Sequence, residues 1–468
     1  MNRIVFLLFT LFIILSSCEK KRFVKGDFVY IEFSTDTVHF DTVFTSIGTT
    51  TRELRIINPY NEWLSIDNIY LAGDENSPFR LNLDGVPGTE FHNIELPPSD
   101  SIFLFVDAII DPADQSSPLM INDSIVFTIS GSIQDVNIIA WGQDINLING
   151  KIIGTGTWSS DKPYVIYNSM MVDTNQVLSV EEGTKILFHR GSTMYIAGRL
   201  IINGSIENPV SMATDRIEEA YSDVPGQWQG LYFLNGSTGN MLKNVSVTNA
   251  VSAIHAGNLG TEDEPPDLSL KNVFIAHNSV SGLSSIGANI QAENTVIAHC
   301  GFYCAFLSCG GYYSFTHCTM ANRWDYSNRI SPSVYISDYY EYNEMIYSAE
   351  LVNASFKNSV IAGQLDTEII IESIQGEDLN VEFVNSAVKD QDGFGYEYVN
   401  CILNEDPLFI DWSAYSFIPD TLSPLINSGL EEFAMTVPSD VRGYNRLNDE
   451  GPDIGAYERQ PGETIEEK

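Results

Sequence analysis

Three basic side chains in the middle of the chain, Arg323, Arg329 and Lys357, are of a type that could abstract a proton beside a sugar carboxylate. Hydrolysis would instead need two carboxylates set as acid and as base or nucleophile. No Asp-Asp dipeptide occurs anywhere to supply such a pair directly. Between positions 317 and 358, Trp324, Tyr326, Tyr335, Tyr339, Tyr340, Tyr342 and Tyr347 are interleaved with Asp325, Asp338, Glu341 and Glu344. Aromatic faces can stack on the apolar faces of sugar rings, while hydroxyls and carboxylates bond the sugar hydroxyls. Trp324, Tyr326, Tyr339 and Tyr340 are therefore the candidate ligand-binding set, and a flap that buries the same rings against its own scaffold is the competing reading.

Metal and thiol chemistry have less to work with. The loop Thr-Glu-Asp-Glu-Pro-Pro-Asp at 261–267 could attract Ca²⁺, but it lacks the glycine and spacing of an EF-hand loop, so a solvated turn is expected and no metal site is assigned. Cys300, Cys304, Cys309 and Cys318 fall within nineteen residues and Cys401 stands apart; with no Cys-x-x-Cys pair, zinc is not expected. Both disulfides and buried thiols fit these cysteines.

The elements that must position these residues follow two grammars. Residues 28–146 read as short strands of period two, such as 38–44, 52–58, 101–106 and 124–129, and predict an Ig-like β-sandwich of about seven strands. From 147 to 460 short apolar strands are broken by glycines, including Gly183, Gly191, Gly198 and Gly204, as the corners of a coil require. One position recurs: Asn244, Asn272, Asn294, His317, Asn358 and Asn385 step by 28, 22, 23, 41 and 27 residues, which predicts a coil of about 22 residues with insertions. Stacked amides can satisfy one another up and down such a column, so the ladder is architectural.

The motif VLSVEEGTKILFHRGSTMYIAGRLIINGSIENPVSM at 177–212, followed by PGQWQGLYF at 225–233, resembles the opening coils of right-handed parallel β-helix proteins of the pectate-lyase-like superfamily. Together with FDTVFTSIGTTTRELRIINPYNEWLSIDNIYL at 40–71, it is similar to a family of Bacteroidota lipoproteins of no established activity. The Arg-x-Pro-x-x-Arg motif of the pectate lyases is missing. The terminal stretch at 406–458 is similar to the last coils of secreted β-helix proteins, and Asp440, Arg442, Arg446, Asp453 and Glu458 read as a polar cap against edge-to-edge growth.

The chain opens with Arg3, an apolar run at 4–15 and Leu-Ser-Ser-Cys ending at Cys18, which resembles a bacterial lipobox. The resemblance implies cleavage before Cys18, acylation of that residue, a tether at 18–27 and membrane attachment through several acyl chains. A further polar tail is expected at 461–468. The balance of 24 Lys+Arg against 62 Asp+Glu, net −38, excludes a nucleic-acid partner. The expectation is an all-β, non-enzymatic lipoprotein of the outer membrane, on its periplasmic face because Cys18 is followed by Glu-Lys-Lys-Arg, recognising polysaccharide or another envelope component. The alternative is a polysaccharide lyase or glycoside hydrolase with a non-standard site. Two charged groups facing one groove would favour the enzyme, and a groove of aromatics and amides alone would favour binding.

Overall fold

The computed structural model describes residues 21–463 apart from 27, 46, 49–50, 112–117, 260–262, 375, 377–378, 392, 394–396 and 461. Cys18 and the expected export segment lie outside the described residues. The chain is all-β and divides into two compact units, Met1–Ile145 and Asn146–Lys468.

In the first unit two five-stranded sheets share one core that includes Leu54, Ile56, Ile66, Ile69, Leu104, Val106, Ile125 and Phe127. The alternation does the work expected of it: strand Ser101–Ala108 buries Leu104, Val106 and Ala108 and turns the residues between them away from the core. Among the described residues ten strands appear rather than about seven. Pieces such as Glu32–Phe33 and Val86–Gly88 are too short to register as a period. Strand Thr37–Phe44 pairs in parallel with Ser132–Gln143, while that strand pairs antiparallel with Leu119–Ile129. The tether expected at 18–27 is shorter than predicted, because Phe23 bridges to Trp63 and the Val24 N–H donates to the Trp63 carbonyl at 2.9 Å.

The second unit is built on one 26-stranded sheet in which strands pair in parallel with those one coil further on. Lys243 pairs with Lys271, Lys271 with Glu293, Glu293 with Thr316, Thr316 with Lys357 and Lys357 with Val384. Each of these immediately precedes a ladder residue, from Asn244 after Lys243 to Asn385 after Val384. All six ladder residues take left-handed backbone, with φ between 46° and 53°. Asparagine and histidine tolerate that region better than most side chains, which is a second physical reason for the column. Asn272 Nδ2 donates to Asn244 Oδ1 and Asn294 Nδ2 to Asn272 Oδ1, both at 2.9 Å, and Asn358 Nδ2 lies 3.1 Å from His317 Nε2. Inside the coil Phe315, Phe356 and Phe383 stack at 5.0 and 5.1 Å, near the strand spacing. The long step between His317 and Asn358 contains a regular sheet strand, Val334–Ser337, and a hairpin of Tyr339–Tyr342 with Met345–Ser348. Of the cysteine alternatives, the structure has thiols throughout the described residues: Cys300, Cys304 and Cys318 lie in the core, and burial pushes Cys318 up to about 12.

The terminal segment is not placed as an end cap would be. Phe409, Phe417, Leu425, Ile454 and Ala456 pack on the outer face of the middle and later coils, against Val296, Ala298, Ala321, Val360, Ala362 and Ala387. A column of alanines lets the segment approach closely. The charged cluster then plugs the ladder: the fully buried Arg446 donates to Asn294 Oδ1 at 2.8 Å, and its second terminal nitrogen lies 3.4 Å from Glu458. Glu463 accepts from Arg442, so the polar tail expected from 461 is engaged at least that far.

Candidate functional site

Where the strands under the terminal segment end, successive coils present a row of polar side chains. His189 stacks on Tyr167 at 3.9 Å and its Nδ1 lies 2.8 Å from Asp215. Further along, His277 and His299 meet Nδ1 to Nδ1 at 2.8 Å, so one must donate and the other accept. Tyr415, from the terminal segment, brings its hydroxyl to 3.0 Å from His299 Nδ1. Burial first, and then His277, push His299 down to about 4, and burial likewise lowers His277. His299 is therefore neutral near pH 7. Trp324, Tyr326 and Tyr415 surround the ring of His299 at 4.9, 5.8 and 5.3 Å. That enclosure leaves His299 as a packing centre for the segment rather than a base open to substrate.

The row continues into a hollow of about 320 Å³. Register places its wall on four coils: Asn322, before Arg323, pairs with Gly363, before Gln364; Ile361 pairs with Val388, before Lys389; and Val388 pairs with Leu403, before Asn404. The other wall is Glu405, Asp406, Pro407 and Trp412 of the terminal segment. Lys389 Nζ donates to the Gly363 carbonyl at 3.1 Å, which steers its stem along the coils. The Trp324 N–H donates to Gln364 Oε1 at 2.9 Å, which fixes the amide. One indole, two amides, two cations and two carboxylates thus border a single hollow.

Of the three candidate bases only Arg323 lines this hollow. Arg329 is corrected to a structural role: it is buried against Glu368, whose carboxylate also accepts from Ser333 N–H and Oγ and from Leu365 N–H. A group so enclosed cannot reach a substrate. Lys357 pairs with Glu382 at 3.2 Å, beside the ladder and outside the hollow. The four candidate aromatics do not converge either. Trp324, 8% exposed, and Tyr326, 58% exposed, sit by His299. Tyr339 and Tyr340 belong to the hairpin, where Tyr339 shares Glu372 with Tyr335. Tyr335 lies against Phe306 at 5.1 Å and 7°, so each ring covers one face of the other. Of the four candidates Trp324 is buried, Tyr339 and Tyr340 are partly buried and Tyr326 is exposed, so the set is neither one platform nor one buried flap. Among the described residues no three His, Cys, Asp or Glu side chains gather as a metal ion requires.

The sequence did carry an unused signal for the histidine pair. Ile-Ala-His-Asn at 275–278 and Ile-Ala-His-Cys at 297–300 are 22 residues apart, the step that separates Asn272 from Asn294. Nothing local marks Lys389 or Trp412.

No family model matches the sequence, and no curated protein matches it. Among solved structures, a family 123 glycoside hydrolase from Clostridium perfringens, described for glycolipid glycan hydrolysis, aligns at 8% identity and TM-score 0.18 over 24% of this chain. The alignment spans 25% of that protein's own length. The catalytic domain of a family 87 α-1,3-glucanase in complex with nigerose aligns at 9% identity and TM-score 0.23 over 76% of this chain and 88% of its own. Likenesses this faint carry no argument about fold or activity.

Proposed function

We propose that the chain is a lipid-anchored envelope protein whose solenoid holds a glycan, or another envelope component of similar chemistry, without cleaving it. The observation that carries the reading is the hollow that Trp412 lines together with Gln364, Asn404 and four charged side chains. A sugar ring needs an apolar face beneath it and polar partners around its edge, and that hollow supplies both. In this reading the coil is right-handed and the first unit is Ig-like. Two sheets on one core, and the parallel pairing of Thr37–Phe44 with Ser132–Gln143, support the second label. Anchoring at Cys18 on the periplasmic side of the outer membrane completes the reading. A second reading, lyase or hydrolase, is favoured by one fact: Arg323 and Lys389 face one hollow from coils two apart.

A glycan array with the wild type and Trp412→Ala, combined with an assay for new reducing or unsaturated ends, tests both. Binding that is lost in the variant, with no new ends over time, supports the binding protein. New ends accumulating with the wild type would move the assignment to the enzyme, and an array without any bound glycan would overturn both.

A further inference from the structure

We infer that the hollow beside Trp412 takes a sugar carrying a single anionic substituent, gripped between Arg323 and Lys389, on an otherwise uncharged saccharide. The inference rests on the carbohydrate-binding reading above and adds the charge of the ligand. Lys389 makes no ion pair with a carboxylate among the described residues; its ammonium donates only to the Gly363 carbonyl, leaving further donors for a ligand. Arg323 touches Asp325 through Nε at 3.4 Å, which leaves its terminal nitrogens for another partner. Guanidinium and ammonium are both suited to a carboxylate, sulfate or phosphate group, the first by its planar fork and the second as a point charge. Successive coils stand about 4.8 Å apart, so the two backbones are about 10 Å from each other and both long side chains can reach one group between them.

Size and field narrow the ligand further. A hollow of about 320 Å³ lies at the lower end of the range for ligand pockets, about 300–1,000 Å³, and suits one or two rings. Pro407 and Trp412 give the apolar wall, while Gln364, Glu405 and Asp406 offer partners for hydroxyls; Asn404 is held through both side-chain atoms by the Asp390 backbone. A polyanion would meet the repulsion of a chain with net charge −38 over its whole length. An isolated anion is treated differently: beyond about 8 Å salt screens the charge of the chain, and inside the hollow Arg323 and Lys389 offset Glu405 and Asp406, so direct contact with the guanidinium and the ammonium decides. The ligand class is therefore a sparsely charged glycan and not a polyuronate.

Calorimetric titration of the whole mature chain with methyl glucoside, methyl glucuronide, methyl glucoside 6-sulfate and an oligogalacturonate tests the inference. At least one singly charged probe should bind ten-fold or more tighter than methyl glucoside. The stronger of the two identifies carboxylate or sulfate as the preferred group. The oligogalacturonate should bind more weakly than that probe. Lys389→Gln and Arg323→Gln should each cut the charged-over-neutral ratio at least five-fold at an unchanged urea midpoint, whereas Lys357→Gln, outside the hollow, should not move it. Equal binding of neutral and charged probes would overturn the inference and leave the carbohydrate reading standing. Binding of none of them would overturn both.

Discussion

Replacing Asn294 with leucine removes three hydrogen bonds at once from the side of the solenoid. Its Nδ2 donates to Asn272 Oδ1 at 2.9 Å and to the Ser439 carbonyl at 2.7 Å, and its Oδ1 accepts from Arg446 at 2.8 Å. Asn294 is 4% exposed and Arg446 is fully buried, while Asn272 and Ser439 are partly buried, so water replaces these bonds only in part. A buried partner left without a bond costs about 1–3 kcal/mol, and with the two partly buried partners at the lower end the three give about 4 kcal/mol. A leucine held at φ 48° adds about 1 kcal/mol of backbone strain. The total is about 5 kcal/mol, or a fall of about 1.7 M in the urea midpoint for a slope of about 3 kcal/mol per M. Asn385 occupies the same ladder at φ 47°, but its Oδ1 has no hydrogen-bond partner among the described residues. Asn385→Leu should therefore cost about 1 kcal/mol, the strain alone. Asn61, in the first unit, makes an exposed contact with Ser99, and its leucine variant should stay within about 0.5 kcal/mol of the wild type. Four of the six tryptophans, Trp158, Trp228, Trp324 and Trp412, lie in the second unit, so intrinsic fluorescence reads the transition that matters. Equal losses at Asn294 and Asn385 would refute the reasoning, because both share the ladder and only one is plugged by the terminal segment.

Three other outcomes are expected. Glu368→Gln should lower stability by about 3–5 kcal/mol in thermal or urea unfolding, since it leaves Arg329 buried with an uncompensated charge; Lys357→Gln, at a partly exposed pair, should change it by less than about 1 kcal/mol. Burial and the charge of Asp453 raise the Glu458 carboxyl to about 9, against the pull of Arg446, so the folded protein holds a proton that the unfolded chain releases above its ordinary value near 4.5. Stability should then fall as pH rises from 6.5 to 9, a window in which His299 contributes no change because its effect is lost only as pH drops below 6.5 toward 4, and Glu458→Gln should flatten the slope of urea midpoint against pH. Cys18→Ala should abolish incorporation of labelled fatty acid and release the protein from membranes, and unchanged labelling would sink the proposed anchor.

The coils were legible in the sequence because their cause repeats locally. Each corner needs a residue that tolerates left-handed backbone and can pass a hydrogen bond to its neighbour, so Asn244, Asn272, Asn294, His317, Asn358 and Asn385 recur at the coil length and could be counted. The strands of the first unit were legible for the same reason, since a face buried every second residue writes itself as alternation. The hollow left no such trace. Arg323, Lys389 and Trp412 are 66 and 23 residues apart, obey no common period, and become neighbours only because parallel stacking brings coil ends into one row and the terminal segment folds back on the alanines of that flank. Composition could not tell Arg329 from Arg323 either. One meets the buried carboxylate of Glu368, and the other is left at the mouth of the hollow. The coil, its period and its corner residues depend on backbone conformation and nearest neighbours, and so are written along the chain. Which charged and aromatic groups share a site was decided by tertiary structure, through contacts between residues that no local pattern links.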